Sequence, residues 1–146
     1  MVWQNLSSAL EIRIASVKAK LLTQRYALSS SHTAGEKKSS QCPLCQVEPE
    51  TMCHFILHCP KLQDARMRYL PSIMSTARNL YLLTHTTNII NIILDSNNLP
   101  RETPKEVKMK HEIICRDLVY KLHSTRSSLL GSPGAYINLA EAHHQC

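Results

Sequence analysis

At 146 residues the chain has room for one ordinary domain or two small ones, and its seven aromatics (five Tyr, Trp3 and Phe55) exclude a broad exposed platform for stacking RNA bases. The net charge of +6 favours a polyanionic partner without naming one. No apolar run is long enough to span a membrane, and the opening MVWQNLSSALEIR lacks the basic-then-apolar layout of a signal peptide. The expectation is an intracellular protein, cytoplasmic or nuclear, whose six Cys are reduced thiols or metal ligands before they are disulfides.

In chain order, Ser8-Ala9-Leu10-Glu11 fits a helix-start capping box, and Leu10, Ile14, Val17 and Leu21 recur at helical spacing. A helix is expected from Ser8 to Ala27. The stretch from Ile12 to Ser40 is the most one-sided in charge: Arg13, Lys18, Lys20, Arg25, Lys37 and Lys38 stand against Glu36 alone. These six are the candidate phosphate contacts. The polar, Ser-rich SSSHTAGEKKSS reads as a flexible linker. Pro60 suits a first helical turn, so a helix is expected from Pro60 to about Leu70, with Pro71 near its end. Short helices follow from Ser72 to Leu83 and from Thr87 to Leu94, although the Ile89, Ile90, Ile92, Ile93 cluster leaves the second ambiguous with a strand. The last helix runs from Pro104 to Leu130, with Val107, Ile114, Leu118 and Leu122 as its apolar stripe and Gly131-Ser132-Pro133-Gly134 as its stop. Within it, His111-Glu112-Ile113-Ile114-Cys115 superficially resembles a zinc-protease helix but has Cys where that motif needs His; surface polar residues around a core Ile114, with Cys115 packing beside them, are expected instead. His143, His144 and Cys146 belong to a loose tail.

The chemistry concentrates in Cys42-x2-Cys45-x8-His54-x4-Cys59. Zinc takes four soft or borderline ligands in a tetrahedron. Two Cys separated by two residues bind one ion from a tight turn, and Pro43 fixes a backbone angle there. His54 and Cys59 cannot share one regular helix, because positions five apart lie about 140° apart around its axis. Pro60 biases Cys59 away from helical angles, so the short helix bearing His54, starting near Glu50 or Thr51, is expected to end at or before Cys59. Spacing alone also accommodates a set of Cys42, Cys45, Cys53 and His58.

The run CPLCQVEPETMCHFILHCPKLQDAR, from Cys42 to Arg66, resembles the zinc-binding domain at the C-terminal end of non-LTR retrotransposon reverse transcriptases. The residues that carry the likeness are Cys42-Pro43-Leu44-Cys45, Glu50-Thr51, His54, Phe55-Ile56-Leu57, Cys59-Pro60 and Arg66. Looser likeness extends to Lys18-Ala19-Lys20-Leu21-Leu22, Tyr26-Ala27-Leu28, Ile92-Ile93-Leu94-Asp95 and Leu122-His123-Ser124-Thr125-Arg126-Ser127. The resemblance favours His54 and Cys59 over Cys53 and His58. It implies one structural Zn²⁺, RNA or DNA as partner, other parts of a retrotransposon polyprotein as neighbours, and a part in target-primed reverse transcription.

The polymerase is not expected in this chain. Its three Asp (Asp64, Asp95, Asp117) are widely spaced and include no Asp-Asp pair for two-metal nucleotidyl transfer. Four protein ligands also leave no open position for a zinc-bound water. The reading is a non-enzymatic, mostly α protein with several helices flanking a small zinc knuckle, taking no small-molecule substrate. Its segments are a basic amphipathic helix (1–28), a linker (29–41), the knuckle (42–60), a helical region (61–131) and a tail (132–146). A structural clip for protein docking and a relic of a truncated element are the competing expectations.

Overall fold

The computed structural model describes residues 8–29, 40–80 and 86–131. Lys37, Lys38, nearly all of the expected linker and the tail with His143, His144 and Cys146 lie outside the described residues. The described residues are mostly α, and their β structure is one antiparallel bridge between Gln41 and Pro49.

Helix α1 spans Ala9–Leu22 and opens as expected: the Ser8 hydroxyl accepts from the Glu11 amide at 3.1 Å, and Glu11 returns a carboxylate to the Ser8 amide at 3.0 Å. It stops five residues before the expected Ala27. Gln24 takes a left-handed turn (φ 58°), and both the Arg25 and Tyr26 amides fold back onto the Lys20 carbonyl. The reversal tucks Tyr26 and Leu28 into the core. The buried face of α1 is also rotated from the expected stripe. Ala15, Val17, Lys18 and Leu21 are inside, while Leu10 is exposed.

After the knuckle, a 3₁₀ turn at Pro60–Leu62 leads into α2 (Gln63–Met67). Pro71 does not close this helix; it sits in the first turn of the next one, α3 (Leu70–Asn79). A missing N–H costs nothing there, which is why one proline fits either a stop or a start in a sequence. The isoleucine cluster resolves as α4 (Thr86–Leu94), with Ile89, Ile92 and Ile93 buried at spacings of three and four. Asp95 caps a 3₁₀ turn at Ser96–Asn98 by accepting from the Asn97 amide.

Helix α5 (Lys105–Leu129) is the axis of the fold, and α1, α2, α3 and α4 all pack on it. Gly131 ends this element at φ 84°, an angle glycine adopts without steric cost. The face it buries is His111, Glu112, Cys115, Leu118, Val119 and Leu122, whereas Ile113 is exposed. The expectation of surface polar groups around a core Ile114 is therefore corrected. His111 and Glu112 point inward because α1 and α4 bring partners to them: the Lys18 ammonium donates to Glu112 at 2.6 Å, and His111 Nε2 lies 2.8 Å from the Ile92 carbonyl. Cys115 is a fully buried packing residue, as expected.

Candidate metal centre

The Cys-Pro-x-Cys turn is a miniature hairpin. The Cys42 amide donates to the Glu48 carbonyl at 2.8 Å and the Gln46 amide to the Cys42 carbonyl at 2.9 Å, with Gln46 itself left-handed (φ 55°) at the reversal. The chain then enters a short helical segment. The Thr51 hydroxyl caps it by accepting from the His54 amide at 3.1 Å. From His54 to His58 the winding is π-helical, and the Cys59 amide bonds the His54 carbonyl at 2.7 Å. Cys59 itself is non-helical (φ −57°, ψ 118°), the conformation that the following proline imposes. The wider turn and the break after His58 together solve the five-residue problem set by His54 and Cys59.

Cys42, Cys45, His54 and Cys59 are all buried, and their ligand atoms lie within 4.8 Å of one another. Cys42 and Cys59 Sγ are 3.8 Å apart, and Cys45 Sγ is 3.3 Å from His54 Nε2. A tetrahedral zinc with Zn–S of about 2.3 Å and Zn–N of about 2.0–2.1 Å has sulfur–sulfur edges of about 3.8 Å and sulfur–nitrogen edges of about 3.5 Å. The four residues thus form a site for one structural zinc. Cys53 is only half-buried and His58 is exposed; neither belongs to the cluster, and the alternative ligand set falls. The described cysteines form no disulfide.

Electrostatics point the same way. The hydrogen bond between Cys42 and Cys59 holds Cys42 down to about 5 and pushes Cys59 upward, because one buried thiolate makes a second beside it costly. A divalent cation removes that conflict and lets every sulfur coordinate as thiolate.

Three further groups fix the ligands, and spacing alone does not reveal how. Glu48 Oε2 lies 3.1 Å from His54 Nδ1, so the proton sits on Nδ1 and Nε2 is left for the metal. Such carboxylate partners are typically worth about 10–100-fold in metal affinity. Glu48 is 59% exposed, which screens its contribution. Glu48→Gln is therefore expected at the lower end, about tenfold weaker zinc binding, measured by competition against a chromophoric chelator. Arg66 is 1% exposed and donates to the carbonyls of Ile56 at 2.7 Å and Cys59 at 3.1 Å, satisfying backbone acceptors that the end of the π turn leaves open. Glu50, also 1% exposed, receives a two-pronged contact from Arg126 at 2.6 and 2.9 Å and further bonds from the Ser29 amide and hydroxyl. It clips the knuckle to the end of α5 and to the segment after α1. Arg126 also lies over the Tyr26 ring, which stacks on Phe55 at 5.3 Å.

The candidate phosphate contacts divide. Arg13, Lys20 and Arg25 are exposed. Lys18 is 2% exposed and ion-paired with Glu112, so it cannot meet a phosphate; that assignment is corrected. No described helix is long and apolar enough to cross a membrane. Fold and site together define a mostly helical zinc-binding module. No family model matches the chain, and neither a curated protein nor a solved structure shows significant similarity to it.

Proposed function

We propose that this module binds nucleic acid, with the zinc acting structurally, and that it corresponds to the C-terminal zinc-binding part of a non-LTR retrotransposon reverse transcriptase. In that setting it would hold RNA or DNA during target-primed reverse transcription, as one part of a larger polyprotein. The supporting observation is the division of labour inside the motif. The residues that carry the resemblance are also those that build the centre: Cys42, Cys45, His54 and Cys59 as ligands, Thr51 as cap, Glu50 as clip and Arg66 as carbonyl anchor. Zinc filled by four protein ligands has no place for a reacting water, so the proposed role is non-enzymatic.

Exposed cations supply the affinity in this reading. Arg13, Lys20 and Arg25 form no ion pair among the described residues. Neutralising phosphates releases counterions, and three contacts give a log–log salt slope of roughly −2 to −3. Fluorescence anisotropy with labelled single-stranded RNA, single-stranded DNA and duplex is expected to show at least that slope. Binding that is indifferent to salt, or absent, would overturn the proposal. A second reading, a clip that docks on protein, draws on Leu10 and Ile12, which are 52% and 54% exposed on α1. Self-association in sedimentation without nucleic-acid binding would favour it.

A further inference from the structure

An open cleft of about 450 Å³ lies between the 3₁₀–α2 segment and the C-terminal half of α5. Lys61, Asp64, Ala65 and Arg68 line one wall; Lys121, Thr125 and Leu129 line the other. None of the six cations in the sequence-derived set lies here. We infer that this cleft is the seat of the phosphodiester backbone, an inference that rests on the nucleic-acid reading above and names the contact surface.

The chemistry of the walls carries the argument. Lys61, Arg68 and Lys121 oppose the single carboxylate of Asp64, leaving an excess of two positive charges in a concave site. All three are exposed, and none makes an ion pair among the described residues, so their charge is available to a ligand. A cleft lined mainly by one sign of charge concentrates its field on an incoming anion. Ala65 and Leu129 are the apolar residues of the lining.

Shape adds direction. Lys121, Thr125 and Leu129 follow one another at four-residue spacing, so they form a single stripe along α5. The stripe is about 12 Å long, the span of about three phosphates on one strand. Position fixes the opposite wall. Lys61 lies two residues after the ligand Cys59, in the 3₁₀ turn that Pro60 opens. The bonds from Arg66 to the Ile56 and Cys59 carbonyls secure the same short stretch. The metal centre thereby holds one wall of the cleft against α5.

The end of α1 and the cleft meet different sides of α5: Tyr26, just after α1, has its hydroxyl 2.8 Å from His123 Nδ1. Lys20 lies close enough to His123 to depress its basicity, after the effects of burial and Arg126. On an α-helix, positions two apart, such as His123 and either Lys121 or Thr125, differ by about 200°. Substitutions can therefore separate the two surfaces.

The test uses the zinc-loaded full chain and the same labelled oligonucleotides. Lys61→Gln/Arg68→Gln/Lys121→Gln is expected to retain its zinc and lose about 2–3 units of the salt slope. Arg13→Gln/Lys20→Gln/Arg25→Gln is expected to lose less. Asp64→Asn removes the one opposing charge and is expected to tighten binding severalfold, a gain that damaged folding does not produce. Wild-type affinity and slope in the cleft triple variant, with the loss confined to the Arg13/Lys20/Arg25 variant, would overturn the cleft and leave the nucleic-acid reading standing. No salt-dependent binding by the wild type would overturn both. Equal affinity for poly-glutamate of matched charge would also overturn the phosphate assignment, placing an acidic peptide in the cleft.

Discussion

Cys42→Ser and His54→Ala are expected to leave the purified chain without zinc, while Cys53→Ser and His58→Ala keep one ion per chain. The first pair removes ligands whose atoms converge within 4.8 Å; the second alters residues outside the cluster. The accompanying loss of stability should be large. Structural zinc contributes roughly 10–16 kcal/mol in small peptides at neutral pH. The knuckle's own fully buried apolar side chains, Leu44, Phe55 and Ile56, contribute about 1.5–3 kcal/mol each. The ion thus outweighs any one side chain, and the knuckle should not hold its shape without it. Loss should also spread, because the knuckle positions Glu50 for Arg126 and Phe55 for Tyr26. Metal analysis by mass spectrometry, with circular dichroism before and after chelation, checks both statements. Zinc retained in Cys42→Ser and His54→Ala, or lost only with Cys53 and His58, would mean that the centre is assembled from other residues.

A zinc site was legible because zinc chemistry restricts residue type and spacing, but spacing left Cys53 and His58 open as ligands, and it was the resemblance that favoured His54 and Cys59. Pro60 even disclosed where the helix had to break. The ends marked by Ser8 and Gly131 were legible for a similar reason: a capping hydroxyl and a glycine at positive φ each answer a local backbone requirement. Pro71 was ambiguous because the same ring that halts one helix suits the first turn of another. Lys18, His111 and Glu112 were misread for a different reason. Periodicity places a polar residue on the surface unless a partner is known, and the partners here are remote. Lys18 and Glu112 are 94 positions apart, and His111 meets a carbonyl 19 positions away. Glu48 was missed as the partner of His54, although a ligating imidazole needs an acceptor on its other nitrogen and an acid close in sequence is a natural source. The cleft walls come from separate segments, so charge counting along the chain favoured α1.

Glu112→Leu is expected to destabilise the fold by about 3–5 kcal/mol, because it leaves the Lys18 ammonium buried and unpaired, and Lys18→Met by less, because Arg116 still pairs with Glu112. Lys18 and Glu112 meet at 2.6 Å, with side chains 2% and 3% exposed. Against a typical total of about 5–15 kcal/mol, Glu112→Leu would consume roughly a fifth of the stability or more. The double variant Lys18→Met/Glu112→Leu should recover most of the loss, since apolar replacement of a whole buried pair is often neutral or favourable. Arg116, which also donates to Glu112 at 3.0 Å, is 13% exposed and retains some access to water when its partner is removed. Acid provides a second readout. Burial pushes Glu112 upward, but the charge and hydrogen bond of Lys18, with smaller contributions from Ser96 and Arg116, overcome this and hold it below its ordinary 4.5. A depressed carboxyl stabilises the fold fully above 4.5, and that contribution is lost as pH falls through the folded value. His111 adds to the trend from higher pH. Burial lowers it from 6.5, and its Nδ1 has no hydrogen-bond partner among the described residues, so protonation below 6.5 favours the unfolded chain. Urea unfolding at neutral and acidic pH should therefore show the wild type weakening in two stages, with the double variant lacking the one below 4.5. Single variants that shift stability by less than about 1 kcal/mol would instead mark the pair as solvated, since exposed pairs are worth no more than that.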